Sequence, residues 1–317
     1  MSINWTGIIL DSQKPETAWM SIFSSMLDIT KQHYSPVAMH DATVIPDRLL
    51  TEAAWELWES YPEAAVKTSA VLKEWTNQGS GKAVLILDAL SLREMPMLLT
   101  AAATREIIPL DVKVTGSECP STTDQFAKAI GLPTRSALTN NTKPGTFSLF
   151  GANCYTDVLS MPFSDCTVRP LPNIVIWHTW LDDLIHLQRK LPDQIANIAS
   201  STLKGDDFWN FLNRLRQGRN LVITSDHGYA VSKRFSSEVE DTDAVKILRE
   251  TFGASRYKPI LQPSQKNFMP PILMTHNKQH IVMGQRKWNV QGGFPDLCHG
   301  GMSLLEVAVP YIELPAL

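Results

Sequence analysis

The stretch NLVITSDHGYAV, residues 220–231, runs four apolar or β-branched residues straight into Ser225, Asp226, His227 and Gly228. A carboxylate and an imidazole presented together offer one oxygen and one nitrogen donor to a metal ion. Neighbouring residues on a strand point to opposite faces, but at a strand-end turn both can converge, with Gly228 supplying backbone freedom. The competing explanation is an Asx-type turn beside a surface histidine. Asp182 and His186 form a second pair. Four residues apart on a helix, they share one face and offer the same two donor types. Here the competing explanation is Thr179-x-x-Asp182 acting as a capping box, with His186 a satisfied core histidine. Asp183 falls on another face and reads as solvated. His299 stands before Gly300 and Gly301, where a plain turn would also account for it.

Taken with Asp88, these residues make one set: Asp88, Asp182, His186, Asp226, His227 and His299. Three carboxylates in one pocket cannot all stay ionised without counter-charge. Two divalent cations would balance them and could clamp the attacking and leaving oxygens of a phosphoryl displacement. Such chemistry also needs a nucleophile. CPSTTDQF places Ser121, Thr122 and Thr123 just before a helix, where the N-terminal field favours an alkoxide and a bound phosphate. One of the three can serve as the N-cap while another reacts.

The elements that must position these groups alternate in type. KAVLILDAL (82–90) is a continuous apolar run, as in a strand buried on both faces. REMPMLLTAAATRE follows as a helix and DVKVTGSE (111–118) as a strand. TTDQFAKAIG is helical, PNIVIWHTW (172–180) a strand, and LDDLIHLQRKL and DFWNFLNRLRQG helices. HIVMG and VPYIEL read as closing strands. This pattern predicts an α/β fold with a mostly parallel central sheet, in which functional groups gather at the carboxyl ends of the strands. Residues 1–78, rich in Ala, Leu, Glu and Trp at helical spacing, read as an N-terminal helical segment, a cap or partner-binding arm. Trp55, Trp58 and Trp75 read as its core or interface. Residues 79–317 then form the catalytic domain. Residues 232–280 are expected to be an irregular lid, in which Lys233, Arg234, Lys246, Arg249, Arg256 and Lys258 are mostly solvated.

A chain of 317 residues with net charge -3, 44% apolar and 19% charged, can bury a core and has no global pull toward nucleic acid or anionic membrane. Its four cysteines form no C-x-x-C pair. With no signal-peptide pattern and no apolar run long enough to span a bilayer, the expectation is a cytoplasmic protein that contacts no membrane. GSGK (79–82) is not a P-loop, because Thr76 holds the place of the first glycine and the glycines precede a strand.

In order along the chain, VLILDAL, PSTT, WLDDLIH, VITSDHGY and HGGMSLLEVAVP resemble the PglZ family of the alkaline phosphatase superfamily, over roughly residues 82–317. The resemblance implies an alkaline phosphatase-like three-layer sandwich. It implies one metal on Asp182, His186 and His299 and another on Asp88, Asp226 and His227. The family's P-S-x-T pattern implies Thr123 as nucleophile, with Thr122 and Ser121 as alternatives. The ions would be zinc, with manganese or magnesium as alternatives. The implied activity is hydrolysis of a phosphate ester, foremost a nucleotide or nucleic-acid phosphodiester, within a phage-defence (BREX-like) or signalling system, with a protein partner held through residues 1–78. Phosphomonoesterase, sulfatase and phosphomutase activities share the fold, and a non-catalytic metal-binding adaptor is the alternative outside enzymology. One departure is visible: Ser91 stands where the family has an arginine after Asp-Ala-Leu, and Arg93 follows two residues later.

Overall fold

The computed structural model describes residues 3–32, 35–139, 147–150, 154–187, 192–235, 237–238, 242–260, 268–291 and 293–317. In chain order its elements are α1 (Trp5–Leu10), α2 (Pro15–Gln32), α3 (Pro36–Glu52), α4 (Trp55–Ala64), α5 (Thr68–Thr76), β1 (Lys82–Leu87), α6 (Met95–Ala103), β2 (Asp111–Gly116), α7 (Thr123–Ala129), β3 (Cys154–Leu159), β4 (Asn173–His178), α8 (Trp180–Leu187), α9 (Pro192–Lys204), α10 (Asp206–Arg216), β5 (Asn220–Thr224), β6 (Ser237–Glu238), α11 (Thr242–Phe252), β7 (Tyr257–Pro259), β8 (Leu273–His276), β9 (Gln279–Val282), β10 (Arg286–Lys287), α12 (Leu304–Val307) and β11 (Ala308–Leu314). A 3-10 turn at Arg135–Leu138 follows α7.

Six strands form the central sheet in the order β2-β11-β5-β1-β4-β3. β1 pairs in parallel with β4 and β5, and β3 with β4; β11 runs antiparallel between β2 and β5. All six residues of β1 are buried, as its unbroken apolar run requires of a strand covered on both faces. Alternate residues face opposite layers. Val84, Ile86, Val175, Trp177 and Val222 pack with Leu72 and Trp75 of α5 and Phe126 of α7. Leu85, Leu87, Ile174, Ile176 and Ile223 pack with Trp19, Trp58, Phe208 and Phe211 from α2, α4 and α10. The fold is therefore a three-layer α/β/α sandwich, and the N-terminal helical segment supplies part of both outer layers. Tyr61 of α4 also reaches the loop beyond β2, where its hydroxyl donates to the Ser117 carbonyl at 2.8 Å.

The register aligns strand ends. Leu87 pairs with His178, and Ile86 with Thr224, so the residues after β1, β4 and β5 emerge at one edge. β11 runs the other way, so the turn and α12 before it return to that same edge.

Two expectations are corrected here. Residues 232–280 are not irregular: they carry β6, α11, β7 and β8. With β9, which runs on past them to Val282, they build a three-stranded antiparallel sheet in the order β7-β9-β8, over an apolar cluster of Ala244, Leu248, Phe252 and Ile272 with Val282 and Trp288 from the following residues. Positions 236, 239–241 and 261–267 lie outside the described residues. HIVMG pairs in that small sheet and not in the central one. β3 (CYTDVL), which the sequence pattern does not single out, is the sheet's edge strand. Among the described residues, the cysteines are free and no helix is long and apolar enough to cross a membrane.

Candidate metal centre

Asp88 and Asp226 leave β1 and β5 side by side and are fully buried. The turn after β1 puts Ala89 at φ +62°, a conformation costly for a residue with a Cβ, on the order of 1–3 kcal/mol. That turn aims the Ala89 N–H at Asp226 Oδ1, 3.1 Å away, and Ser225 Oγ donates to the same oxygen at 3.1 Å. The Oδ2 atom is left for Thr123, whose hydroxyl donates to it at 2.7 Å. Thr123 Oγ1 also lies 3.3 Å from His227 Nε2 and 3.4 Å from Asp88 Oδ1. His227 Nδ1 is 3.0 Å from the Gly228 carbonyl. A carbonyl can only accept, so Nδ1 carries a proton, and Nε2 is the ring nitrogen turned toward Asp226 and Thr123.

Asp88 accepts from the Trp177 indole N–H at 3.0 Å and from the Arg135 guanidinium. Trp177 is itself fixed edge-on against Phe126 of α7, with centroids 5.4 Å apart, so sheet packing orients a site residue. Burial pushes the Asp88 carboxyl well above the usual carboxylate range; repulsion from Asp226 and Asp182 adds to this, and Arg135 opposes it.

The second group is Asp182, His186 and His299. His186 Nε2 sits 3.1 Å from Asp182 Oδ1 and 3.2 Å from His299 Nε2. Thr179 Oγ1 donates to Asp183 Oδ2 at 2.6 Å. Asp183 is therefore bonded to the Thr179 side chain at the start of α8 and is not simply solvated, while Asp182 faces His186. Burial, helped by the nearby His227, drops the His299 imidazole to about 3, so near neutral pH it is neutral, with one ring nitrogen able to donate a lone pair. Its buried Nδ1 has no hydrogen-bond partner. The ring stacks on His227 at 4.3 Å and 9°, which places the two groups next to each other.

Within each triad, Asp88-Asp226-His227 and Asp182-His186-His299, the donor atoms lie within 4.8 Å of one another. The structure thus brings all six candidates into two adjoining triads, one of which surrounds the Thr123 hydroxyl. The donor set, carboxylates and imidazoles with the neutral His299 ring among them, fits divalent cations.

The three hydroxyls separate. Ser121 is a strut: it donates to the Gly301 carbonyl at 2.9 Å and accepts from the Gly300 N–H at 3.0 Å. Thr122 is the N-cap residue of α7, and Thr123 is its first helical residue. Sequence reasoning did not find Arg135. It lies on the 3-10 turn after α7, on Asp88 and 3.9 Å from Asp182, with no motif to mark it. Arg93 points away, its guanidinium buried against the Tyr229 carbonyl.

The glycines after His299 admit the small-sheet subdomain. Gly300 has φ +92°, and a Cβ there would lie 2.4 Å from the Tyr257 ring; a Cβ on Gly301 would lie 2.3 Å from Arg256 Nε. Arg256 is fully buried on Glu306 at 2.8 Å, and Glu306 accepts from the Gly301 N–H at 2.9 Å and from Ser303 Oγ at 2.7 Å.

His178, ending β4, is not a member of either triad. Its Nε2–H donates to the Met161 carbonyl at 3.0 Å, and Nδ1 accepts from the Trp180 N–H at 3.2 Å. Burial lowers it from 6.5 to about 4. Between those values the unfolded chain binds a proton that the folded chain refuses, so stability falls as pH drops through 6.5 and the loss levels off near 4. His178 is expected to contribute about 2 kcal/mol of loss between pH 7.5 and pH 5. Urea unfolding of wild type and His178→Gln at both values checks this; equal pH dependence would refute it.

No family model matches the chain, and no curated protein matches it. Among solved structures, phosphonoacetate hydrolase from Sinorhizobium meliloti 1021 in complex with phosphonoformate is 14% identical, with a TM-score of 0.39, over 74% of this chain and 90% of that chain. Murine ectonucleotide pyrophosphatase/phosphodiesterase 5 is 11% identical, with a TM-score of 0.39, over 74% of this chain and 87% of that chain. Likenesses of this extent carry no inference about chemistry, which rests on the chain's own residues.

Proposed function

We propose that the chain is a two-metal-dependent phosphohydrolase that cleaves phosphodiesters, with Thr123 as its nucleophile. The observation that carries this reading is the position of Thr123 Oγ1, 2.7 Å from Asp226 Oδ2 and 3.3 Å from His227 Nε2 at the first turn of α7. Asp88, Asp226 and His227 would hold one divalent ion, and Asp182, His186 and His299 the other, with zinc favoured by the mix of oxygen and imidazole donors and manganese or magnesium as alternatives. Bound ions would supply the positive charge that lowers the pKa of a nearby hydroxyl and offsets charge on a phosphoryl group.

The chain's own residues do the rest. Thr123 already shares its proton with Asp226, and its oxygen faces out from the positive end of a helix. That oxygen attacks phosphorus as its proton passes to Asp226, the bond from phosphorus to one ester oxygen breaks, and that arm leaves with the proton as an alcohol. Water then attacks the threonine-linked phosphodiester, which still carries the other arm, releasing a phosphate monoester and restoring the hydroxyl. Arg135 supplies a fixed guanidinium beside the reacting centre, the fork that suits phosphate oxygens. The PglZ resemblance extends the proposal to a nucleotide or nucleic-acid diester within a phage-defence or signalling assembly.

Elemental analysis of purified protein is expected to give two divalent ions per chain, and one in Asp182→Asn. A chromogenic phosphodiester is expected to turn over faster than the matching monoester. Protein that binds no metal under any loading condition, or full turnover in Asp226→Asn, would overturn the reading.

A further inference from the structure

Two cavities meet at the triads, and their linings differ. The smaller, about 380 Å³, holds Thr123, Arg135 and Asp182 with the hydroxyls of Thr122, Thr134 and Ser136. The larger, about 640 Å³, opens past His186 and His299 and is walled by Ile185, Tyr257, Phe294, Pro295 and Leu297. Tyr257 and His299 line both. Among the described residues, Asp296 is the one acidic side chain lining the larger cavity, and no lysine or arginine lines it.

We infer that the larger cavity is the subsite for one ester arm of the substrate, and that this arm is uncharged and carries a planar ring. The inference rests on the reading of Thr123 as the phosphoryl-accepting centre. Three features support it. The cavity begins at two of the triad imidazoles, so an arm leaving a phosphoryl group at Thr123 can enter it directly. Its size falls in the range of small-molecule sites, roughly 300–1,000 Å³. Its aromatic walls are held in place: the Tyr257 ring rests on Gly300, and Phe294 is set at 62° and 4.7 Å against Trp288. Rigid ring walls favour a planar group that stacks or meets them edge-on.

Charge selects further. Away from the triad, a second phosphate in this cavity would lie beside Asp296, with no lysine or arginine among the described residues to meet it. A neutral heteroaromatic group instead finds acceptors in Asp296 and Ser255. The favoured substrate class is therefore a phosphodiester whose arm ends in a ring, such as a nucleoside, and not an internal linkage of a polymer that threads another phosphate through.

The test uses metal-loaded protein and two simple probes, methylphosphonate and phenylphosphonate, measured by calorimetry. Phenylphosphonate is expected to bind roughly tenfold tighter, the worth of a buried ring contact. In Phe294→Leu, which keeps an apolar contact to Trp288, the ratio of the two affinities should fall close to unity. A para-carboxylate on the phenyl ring should erase the advantage in wild type, and Asp296→Asn should restore part of it. Failure of methylphosphonate to bind at all would overturn the phosphoryl-site reading together with this inference. Methylphosphonate binding with no gain from the phenyl ring, or a ratio indifferent to Phe294→Leu, would overturn the subsite alone.

Discussion

Thr123→Ala is expected to lower kcat by on the order of 10³-fold or more, with the two-ion content and the fold unchanged. A nucleophile that forms a covalent intermediate cannot be replaced by its neighbours once removed. Of the neighbours, Ser121 is held by Gly300 and Gly301, and Thr122 is buried at the N-cap position of α7, where its side chain makes no capping bond. The substitution removes a hydroxyl that only donates to Asp226, and the Ala89 and Ser225 bonds to that carboxylate remain. Thr123→Ser should recover a large part of the rate, because it returns the oxygen without the methyl. Quenched-flow labelling with a diester should trap the phosphoryl group with its remaining ester arm on the wild-type chain and nothing on the alanine variant. Turnover of Thr123→Ala within tenfold of wild type would end the proposal that this hydroxyl reacts.

Glu306→Gln is expected to cost about 3–5 kcal/mol of stability, the usual result of stripping the partner from a buried charge. Arg256 is fully buried, and its Nε has Glu306 as its carboxylate. The amide keeps the volume and removes the charge. The damage should reach the second triad, since Glu306 also holds the Gly301 N–H, two residues from His299. Loss of the ion bound by Asp182, His186 and His299 should therefore accompany a lower urea midpoint, while the other ion is retained. In the double variant Arg256→Met, Glu306→Gln, where no lone charge is left behind, part of the stability should return. Simple additivity of the two single losses would show that the pair is not coupled as described.

Much of this was legible before any coordinates, and for identifiable reasons. β1, β4 and β5 are buried on both faces, so each leaves a continuous apolar run, and a carboxylate or imidazole at the end of such a run stands out. The six donors could be gathered because an open α/β sheet delivers its strand ends to one edge. The misses are equally physical. β3 is a half-buried edge strand with polar positions, so its run is broken. HIVMG is as apolar as a central strand, and nothing in five residues says which sheet it joins. Arg135 reaches Asp88 only through the course of the chain after α7, a long-range placement that local spacing does not encode. The split between Asp182 and Asp183 turned on one hydroxyl, Thr179, choosing the second carboxylate.

The position of β11 has a consequence for how the molecule is assembled. β2 touches the rest of the sheet only through β11, which follows every other strand of that sheet along the chain. Residues 111–116 must therefore wait for residues 308–314, whatever has already formed between them. Closing so long a loop carries a large entropic cost before any contact offsets it, and folding dominated by such contacts is slow. During synthesis β1, β4 and β5 can associate early, and α7 can pack on them through Phe126 and Trp177. His299, just ahead of β11, is the last of the six donors along the chain, so the second triad is completed only when the final strand is at hand.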